Sequence, residues 1–181
     1  MNVLMQELCY RHFEQMAELE ARYYGEEFIT PPQEAYRWYQ RYPYTVVAAA
    51  DENNRIVGFV NLFPVKEHIY EALRAGCFND HFLTLEGVED IAADANTPLR
   101  MFLCCLVVDA AYRAQGLTRR ILRAAVEQYA AVAYRCTEVI TDNVTEAGEA
   151  FSRRYGFREL LRSDHDSTVY TQSWADFVKR I

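Results

Sequence analysis

The chain has 181 residues, of which 51% are hydrophobic and 25% charged, and this composition excludes a disordered chain and predicts one globular domain over 1–181. No apolar run approaches the roughly 20 residues that span a membrane, so we expect a cytoplasmic protein with no membrane partner. The formal net charge of -7 disfavours nucleic acid as a partner, and five cysteines without metal-ligand spacing predict reduced thiols and no metal site.

The first third of the chain is predicted to form two helices and then a hairpin. Apolar residues at helical spacing indicate the first helix, and Pro32 and Pro43 bound the second. Asp51 and Asn54 supply the turn chemistry of the hairpin. In order, these elements are a short strand within 2–8, a helix over 10–24, a second helix up to 42, and strands over 44–50 and 55–63.

The rest of the chain is predicted to alternate strands and helices after an insertion within the domain at 64–100. The insertion contains a helical stretch at 66–75. A continuous apolar run over 101–108 indicates a buried central strand, in which we interpret Cys104 and Cys105 as strand residues rather than nucleophiles. The later elements are a helix carrying Ile121 to Tyr129, a strand over 138–141, a helix over 146–155 ended by Gly156, and a strand over 169–174.

The loop between the central strand and the next helix has the chemistry of a phosphate site. The first N–H groups of a helix have no intrahelical acceptor and lie at the positive end of its dipole, so they favour phosphate. Gly116 lets the backbone approach a ligand closely, and Arg113 and Arg119 add positive charge. The spacing fits neither the P-loop nor the dinucleotide fingerprint, which disfavours nucleoside triphosphates and nicotinamide cofactors.

Two segments resemble motifs of one enzyme family. The run Leu106-Val107-Val108-Asp109-Ala110-Ala111-Tyr112-Arg113-Ala114-Gln115-Gly116-Leu117-Thr118 resembles the acyl-CoA signature [RQ]-x-x-G-x-[GA] of the GCN5-related N-acetyltransferase (GNAT) family. Phe151-Ser152-Arg153-Arg154-Tyr155-Gly156-Phe157 is similar to the family segment F-Y-x-[KR]-x-G-F. The resemblance implies an α/β GNAT fold, whose mixed central sheet has a splayed pair of parallel strands and flanking helices.

The resemblance also implies an activity and a co-substrate. The chain would transfer an acetyl group from acetyl-CoA to a primary amine of a small molecule or a protein, and the alternative is a non-catalytic acyl-CoA-binding module. The central strand would pair with the amides of pantetheine, and the next loop would hold the pyrophosphate. The implied acetyl-CoA contacts are Leu106, Val107, Val108, Arg113, Ala114, Gln115, Gly116, Leu117, Thr118 and Arg119.

The general acid departs from the family pattern. Ser152 occupies the position where many members carry a Tyr that protonates the leaving thiolate, and a Ser hydroxyl is a much poorer acid than a phenol. Tyr155 lies one helical turn further on and is the candidate substitute. In the alternative, water and the helix dipole assist the thiolate and no residue acts as the acid. Two further positions depart from the family pattern. Thr118 stands where Gly or Ala is usual, and Ala110 stands where Pro is common.

The general base and the acceptor site are open as well. An alkylamine has a pKa of about 10.4, so a proton must be removed before it attacks. Asp142 and Asn143 lie at the end of the strand predicted over 138–141. By the resemblance, an Asn of the family falls on Asn143, which we prefer, or on Thr145. His165 is interpreted as a loop residue. The insertion brings further candidates for the base or for a cationic acceptor: Glu67, His68, Glu71, Asp80, His81 and Glu86.

The insertion is expected to shape the acceptor pocket together with the aromatic stretch over 23–42. Carboxylates and aromatic rings suit a cationic amine through charge and cation–π contacts. In the alternative interpretation, the helix of the insertion caps the core or forms a contact in a homodimer.

Overall fold

The computed structural model describes residues 3–181, and Asn2, which begins the predicted first strand, lies outside the described residues. The strands are β1 (Val3–Leu4), β2 (Val46–Ala50), β3 (Ile56–Val65), β4 (Leu99–Val108), β5 (Cys136–Asn143), β6 (Arg158–Arg162) and β7 (Thr168–Ser173). The α-helices are α1 (Tyr10–Glu20), α2 (Pro32–Arg41), α3 (Glu67–Arg74), α4 (Leu117–Glu127), α5 (Glu146–Arg154) and α6 (Trp174–Arg180).

The strands form one mixed sheet in the order β1-β2-β3-β4-β5-β7-β6, in which β4 and β5 are parallel. This arrangement, with helices beside the sheet, confirms the α/β fold that the sequence predicted. None of the helices within residues 3–181 is long and apolar enough to cross a membrane.

One compact unit comprises the residues up to Asn61 together with Cys105–Gln128. Its core includes the apolar face of α1, where Phe13, Met16 and Leu19 are buried at the predicted helical spacing. The ring of Phe13 lies 5.5 Å from the rings of Tyr36 and Tyr39 on α2. Burial of a side chain such as Phe13 stabilises the fold by about 1.5–3 kcal/mol, and these ring contacts help to fix α2 against α1.

The predicted hairpin joins β2 to β3 in this unit. The strands pair in antiparallel fashion, and Asp51 Oδ1 accepts hydrogen bonds from the backbone N–H groups of Asn53 and Arg55 at 2.9 and 3.0 Å. Asn54 adopts a left-handed conformation with φ of 58°, which Asn tolerates better than most residues. The turn therefore has the chemistry that its sequence predicted.

The second compact unit comprises Leu62–Cys104 and Tyr129–Ile181. Here β5 pairs with β7 and β7 with β6, both in antiparallel fashion. The predicted last strand ends at Ser173, because the Ser173 hydroxyl accepts a hydrogen bond from the Asp176 N–H and caps α6, which the sequence interpretation missed. Trp174 and Phe177 of α6 are buried.

The segment predicted as an insertion, 64–100, belongs to this second unit. It contains α3 and two short 3-10 helices at 80–82 and 85–87. The hydroxyl of Tyr70 on α3 donates to Glu138 Oε2 at 2.5 Å, and Arg100 Nη1 donates to the same oxygen at 3.4 Å. Burial, followed by the hydrogen bond to Glu138, raises the pKa of Tyr70 to about 12. The helix is thus fixed to β5 by a partly buried charged contact.

Candidate active site

The loop before α4 has a backbone suited to anion binding. Gly116 caps the helix in a left-handed conformation with φ of 74°, and Ala114 is also left-handed with φ of 63°. The Arg120 N–H donates to the Gly116 carbonyl at 3.2 Å and closes the first turn, so the N–H groups of Leu117 and Thr118 precede the first intrahelical hydrogen bond. A Cβ atom at Gly116 would meet no atom within 4 Å, so the space beside this residue is open.

Side chains of the same unit hold the start of this loop. Arg113 Nε donates to the Val108 carbonyl at 3.1 Å, and its guanidinium lies 4.6 Å from the centre of the Tyr23 ring. The Tyr23 hydroxyl in turn accepts a hydrogen bond from the Ala110 N–H at 2.9 Å. Arg113, predicted as a CoA contact, therefore also fixes the loop. The sequence analysis missed the part played by Tyr23, which follows α1 and lies far away along the chain.

The parallel strands separate before they end. The ladder between β4 and β5 runs from Leu99↔Cys136 to Phe102↔Ile140, although β4 continues to Val108. This confirms the splayed pair of parallel strands. Residues 104–106 of β4 are only half-buried, whereas Val107 and Val108 are buried again. Of the strand residues predicted to contact CoA, Leu106 lies in this more exposed interval, whereas Val107 and Val108 are buried.

A family model described as the acetyltransferase (GNAT) family matches residues 13–157. The chain belongs to this family. A search of curated proteins finds no match. The GNAT assignment therefore comes from the family model and from the fold.

Several solved structures share the fold of this GNAT chain. They include Escherichia coli YhbS, a GNAT family N-acetyltransferase in complex with CoA, at 16% identity over 98% of this chain and 83% of that chain with a TM-score of 0.57. Arabidopsis thaliana Naa50, in complex with the bisubstrate analogue CoA-Ac-MVNAL, matches at 15% identity over 95% and 98% with a TM-score of 0.59. The loading GNATL domain of CurA from Lyngbya majuscula matches at 13% identity over 97% and 98% with a TM-score of 0.66.

Two of the predicted catalytic residues of this GNAT chain bind each other in the second unit. Asn143 Nδ2 donates to Ser152 Oγ at 2.8 Å, and Ser152 is 0% exposed. A Cβ atom at Gly148 would lie 2.7 Å from Asn143 Oδ1, so a glycine is needed where Asn143 passes under α5. Thr145, the other position considered for the Asn of the family, caps α5 by accepting from the Gly148 N–H. The Asn143–Ser152 bond fixes the end of β5 to α5.

Tyr155, the third predicted catalytic residue, lies at the C-terminal end of α5. It is half-buried, and its ring centre is 4.6 Å from that of Phe151. Its phenol is therefore more accessible than the hydroxyl of Ser152, one turn earlier on the same helix.

His165 lies in the loop between β6 and β7 and bridges two carboxylates. Its Nε2 is 2.8 Å from Asp142 Oδ2, and its Nδ1 is 2.8 Å from Asp164 Oδ1. A neutral imidazole has only one N–H group, so two carboxylate partners favour the imidazolium form. Burial lowers the pKa of His165, but the hydrogen bonds and charges of Asp164 and Asp142 outweigh it and raise the pKa. The sequence interpretation found the loop but missed Asp142 as a partner.

Asp80, in the segment 64–100, lies near the pair formed by His165 and Asp142. Its Oδ2 accepts from the Cys104 thiol at 3.6 Å. Burial first, and then the negative charge of Asp142, raises the pKa of Asp80, while Cys104 and His165 oppose the rise. Another candidate of the insertion, Glu67, lies instead 3.5 Å from the guanidinium of Arg100. Residues 3–181 contain no group of three or more His, Cys, Asp or Glu arranged to hold a metal ion.

Proposed function

We propose that this GNAT protein is an N-acetyltransferase that moves an acetyl group from acetyl-CoA to a primary amine of a small molecule or a protein. The observation that carries the proposal is the left-handed conformation of Gly116, which begins α4 and has open space at its Cβ position. A helix start of this kind presents N–H donors and a positive dipole end to a phosphate. Arg119 and Arg120 lie exposed in the first turn and add positive charge.

The same loop and strand supply a consistent set of contacts for acetyl-CoA. The backbone N–H groups of 114–119 would hold the pyrophosphate, because two left-handed residues and a helix start direct successive N–H groups to one side. The half-exposed interval 104–106 of β4 offers backbone groups for the amides of pantetheine. Arg113 would support this site by holding the loop against Tyr23.

The reaction needs few residues. After the ammonium group has lost one proton, the neutral amine nitrogen attacks the thioester carbonyl and forms the C–N bond. The C–S bond then breaks, the nitrogen releases a second proton, and the thiolate takes one up. We assign the proton donor to Tyr155, because its phenol is the more accessible group. Asn143 and Ser152 would act as positioning residues, since each is buried and bonded to the other.

The second candidate function is a non-catalytic acyl-CoA-binding module. The burial of Ser152, which stands at the usual position of the acid, favours it. Thiol release from acetyl-CoA, measured with a panel of primary amines, separates the two functions. We expect release that depends on the amine and saturates with it, above the rate without amine. Saturable CoA binding by calorimetry with no turnover on any amine would contradict the enzyme and leave the binding module.

A further inference from the structure

The second compact unit contains a group of titratable side chains to which the proposed function gives no role. We call it the carboxylate cluster and define it as Asp80, Cys104, Asp142 and His165. It consists of two bonded pairs: Cys104 Sγ donates to Asp80 Oδ2 at 3.6 Å, and His165 Nε2 lies 2.8 Å from Asp142 Oδ2. The pairs are near enough that the charges of Asp142 and His165 act on the Asp80 carboxyl group. Its members come from β4, β5, the segment 64–100 and the β6–β7 loop. Separate parts of this unit therefore converge on one place.

The cluster lies where the two parallel strands separate. The last ladder pair of β4 and β5 is Phe102↔Ile140. Cys104 and Asp142 each stand two residues beyond this pair, and side chains two apart on a strand lie on the same face of the sheet. Ligands of α/β sheets commonly bind in a crevice outside the carboxyl ends of parallel strands. Asp142 is the last residue but one of β5, whereas β4 continues four residues beyond Cys104, so the two side chains flank the point where the strands separate.

One oxygen of the cluster lacks a donor. The side chain of Asp142 is 7% exposed, and its Oδ2 is bonded to His165. Its Oδ1 is buried and has no hydrogen-bond partner in the described part of the chain, 3–181. A buried carboxylate oxygen without a donor is costly, so a donor from a ligand would relieve it. The bond to His165 thus fixes the Asp142 side chain and leaves Oδ1 available to accept a hydrogen bond.

The charge of the cluster selects the ligand. The carboxyl groups of Asp80, Asp142 and the neighbouring Asp164 outnumber the single imidazole of His165, which disfavours an anion as the ligand. The imidazolium of His165 has both of its N–H groups committed to carboxylates, so it cannot satisfy Asp142 Oδ1. A primary ammonium group carries three N–H donors and one positive charge, and it matches both needs.

We infer that the carboxylate cluster binds the protonated amine of the acceptor, with Asp142 Oδ1 accepting a hydrogen bond from the ammonium group. His165 is the positioning residue, because its bond to Oδ2 fixes the orientation of Asp142. Asp80 supplies the second carboxylate. The inference rests on the proposed function and narrows its acceptor to cationic primary amines, in preference to neutral or acidic ones.

The test compares Asp142→Asn with Asp166→Asn in the full-length protein, with 1,4-diaminobutane as the probe. Asp166 is a matched control, because its side chain is 97% exposed, lies in the same loop as His165 and loses the same charge. We expect Asp142→Asn to raise KM for the diamine at least about tenfold, as loss of a charge-assisted hydrogen bond does, with KM for acetyl-CoA unchanged. Asp166→Asn should change neither constant more than about twofold, since exposed charges interact weakly.

A direct measurement of diamine binding tests the inference even if Asp142→Asn folds poorly or if no amine is acetylated. Calorimetry of the diamine with CoA-saturated protein should show binding by the wild type, weaker binding by Asp80→Asn, and no binding of 1,4-butanediol, which lacks the positive charge. Equal diamine affinity in the wild type, Asp80→Asn and Asp142→Asn, or no diamine binding by the wild type, would overturn the inference. Turnover of amines with an unaltered KM in Asp142→Asn would overturn it while leaving the acetyltransferase function intact.

The positioning role of His165 is tested by diamine binding of a variant and by the pKa of its imidazole. His165→Gln keeps a hydrogen-bond donor but removes the charge, so it should weaken diamine binding less than Asp142→Asn. An NMR titration of the wild type should show the pKa of His165 raised above that of a free imidazole, and Asp142→Asn should lower it, because one of the two carboxylates that raise it is lost. A pKa of His165 unaffected by Asp142→Asn would contradict this role.

Discussion

Replacement of Gly116 tests the proposed pyrophosphate site most directly. Three variants separate the possible effects: Gly116→Ala adds only a Cβ atom, Gly116→Gln adds bulk, and Gly116→Glu adds the same bulk with a negative charge. All three share the cost of a left-handed conformation, about 1 kcal/mol for a residue other than Gly. The Cβ atom that all three variants add should not clash with the protein, because it meets no atom within 4 Å.

The size of the charge effect follows from Coulomb's law. A carboxylate about 5 Å from one phosphate charge is repelled by about 3 kcal/mol at an effective dielectric constant of about 20, which corresponds to more than 100-fold in affinity. We therefore expect calorimetry with CoA to give a Kd for Gly116→Glu about 100-fold above that of Gly116→Gln. The Kd of Gly116→Ala should stay within about tenfold of the wild type, since it loses at most the energy of the left-handed strain.

Two controls accompany this series. Thermal unfolding should show all three variants folded, with Tm lowered by about 2–4 °C for each 1 kcal/mol in a chain of this length. At about 1 M salt the Debye length falls to about 3 Å, so the difference between the Glu and Gln variants should narrow. Equal CoA affinity of Gly116→Glu and Gly116→Gln at low salt would refute the placement of the pyrophosphate at this loop.

Three further predictions concern other parts of the chain. Tyr155→Phe should lower kcat and shift the alkaline limb of the pH–rate profile, because the phenol is the assigned proton donor; an unchanged profile would leave water in that role. Tyr70→Phe should lower the free energy of unfolding in urea by about 1.5 kcal/mol, since a hydrogen bond to the charged Glu138 is lost. Because the folded-state pKa of Tyr70 is raised to about 12, its advantage over the Phe variant should be complete below pH of about 10 and lost as the pH rises through 12; a difference independent of pH would contradict this. Reversing the charges of Glu67 and Glu86 together should raise KM for a cationic amine two- to threefold at low salt, roughly the effect of exposed charges, and leave KM for acetyl-CoA unchanged. If both constants stayed the same, the segment 64–100 would be structural only.

The sequence by itself determined the features that depend on neighbouring residues. The hairpin at Asp51–Asn54 and the turn at Gly116 follow from local turn chemistry, and α1 follows from apolar residues at helical spacing. The family motif at 106–118 is local too, so the GNAT fold and the loop before α4 could be predicted. β6 was missed because its burial pattern, largely exposed or half-buried, does not follow the alternation that marks a half-buried strand.

Only the tertiary structure decided which titratable groups meet. Asp142 and His165 are 23 positions apart, and the Cys104–Asp80 pair is 24 apart, so no local pattern relates them. Their meeting depends on the register of β4 and β5, which ends at Phe102↔Ile140, and on the turn of the β6–β7 loop. A strand register is set by packing over the whole sheet rather than by adjacent residues, and a shift of one residue would turn Asp142 to the other face. For this physical reason the sequence located the loop proposed for CoA, whereas the structure alone revealed the cluster proposed for the amine.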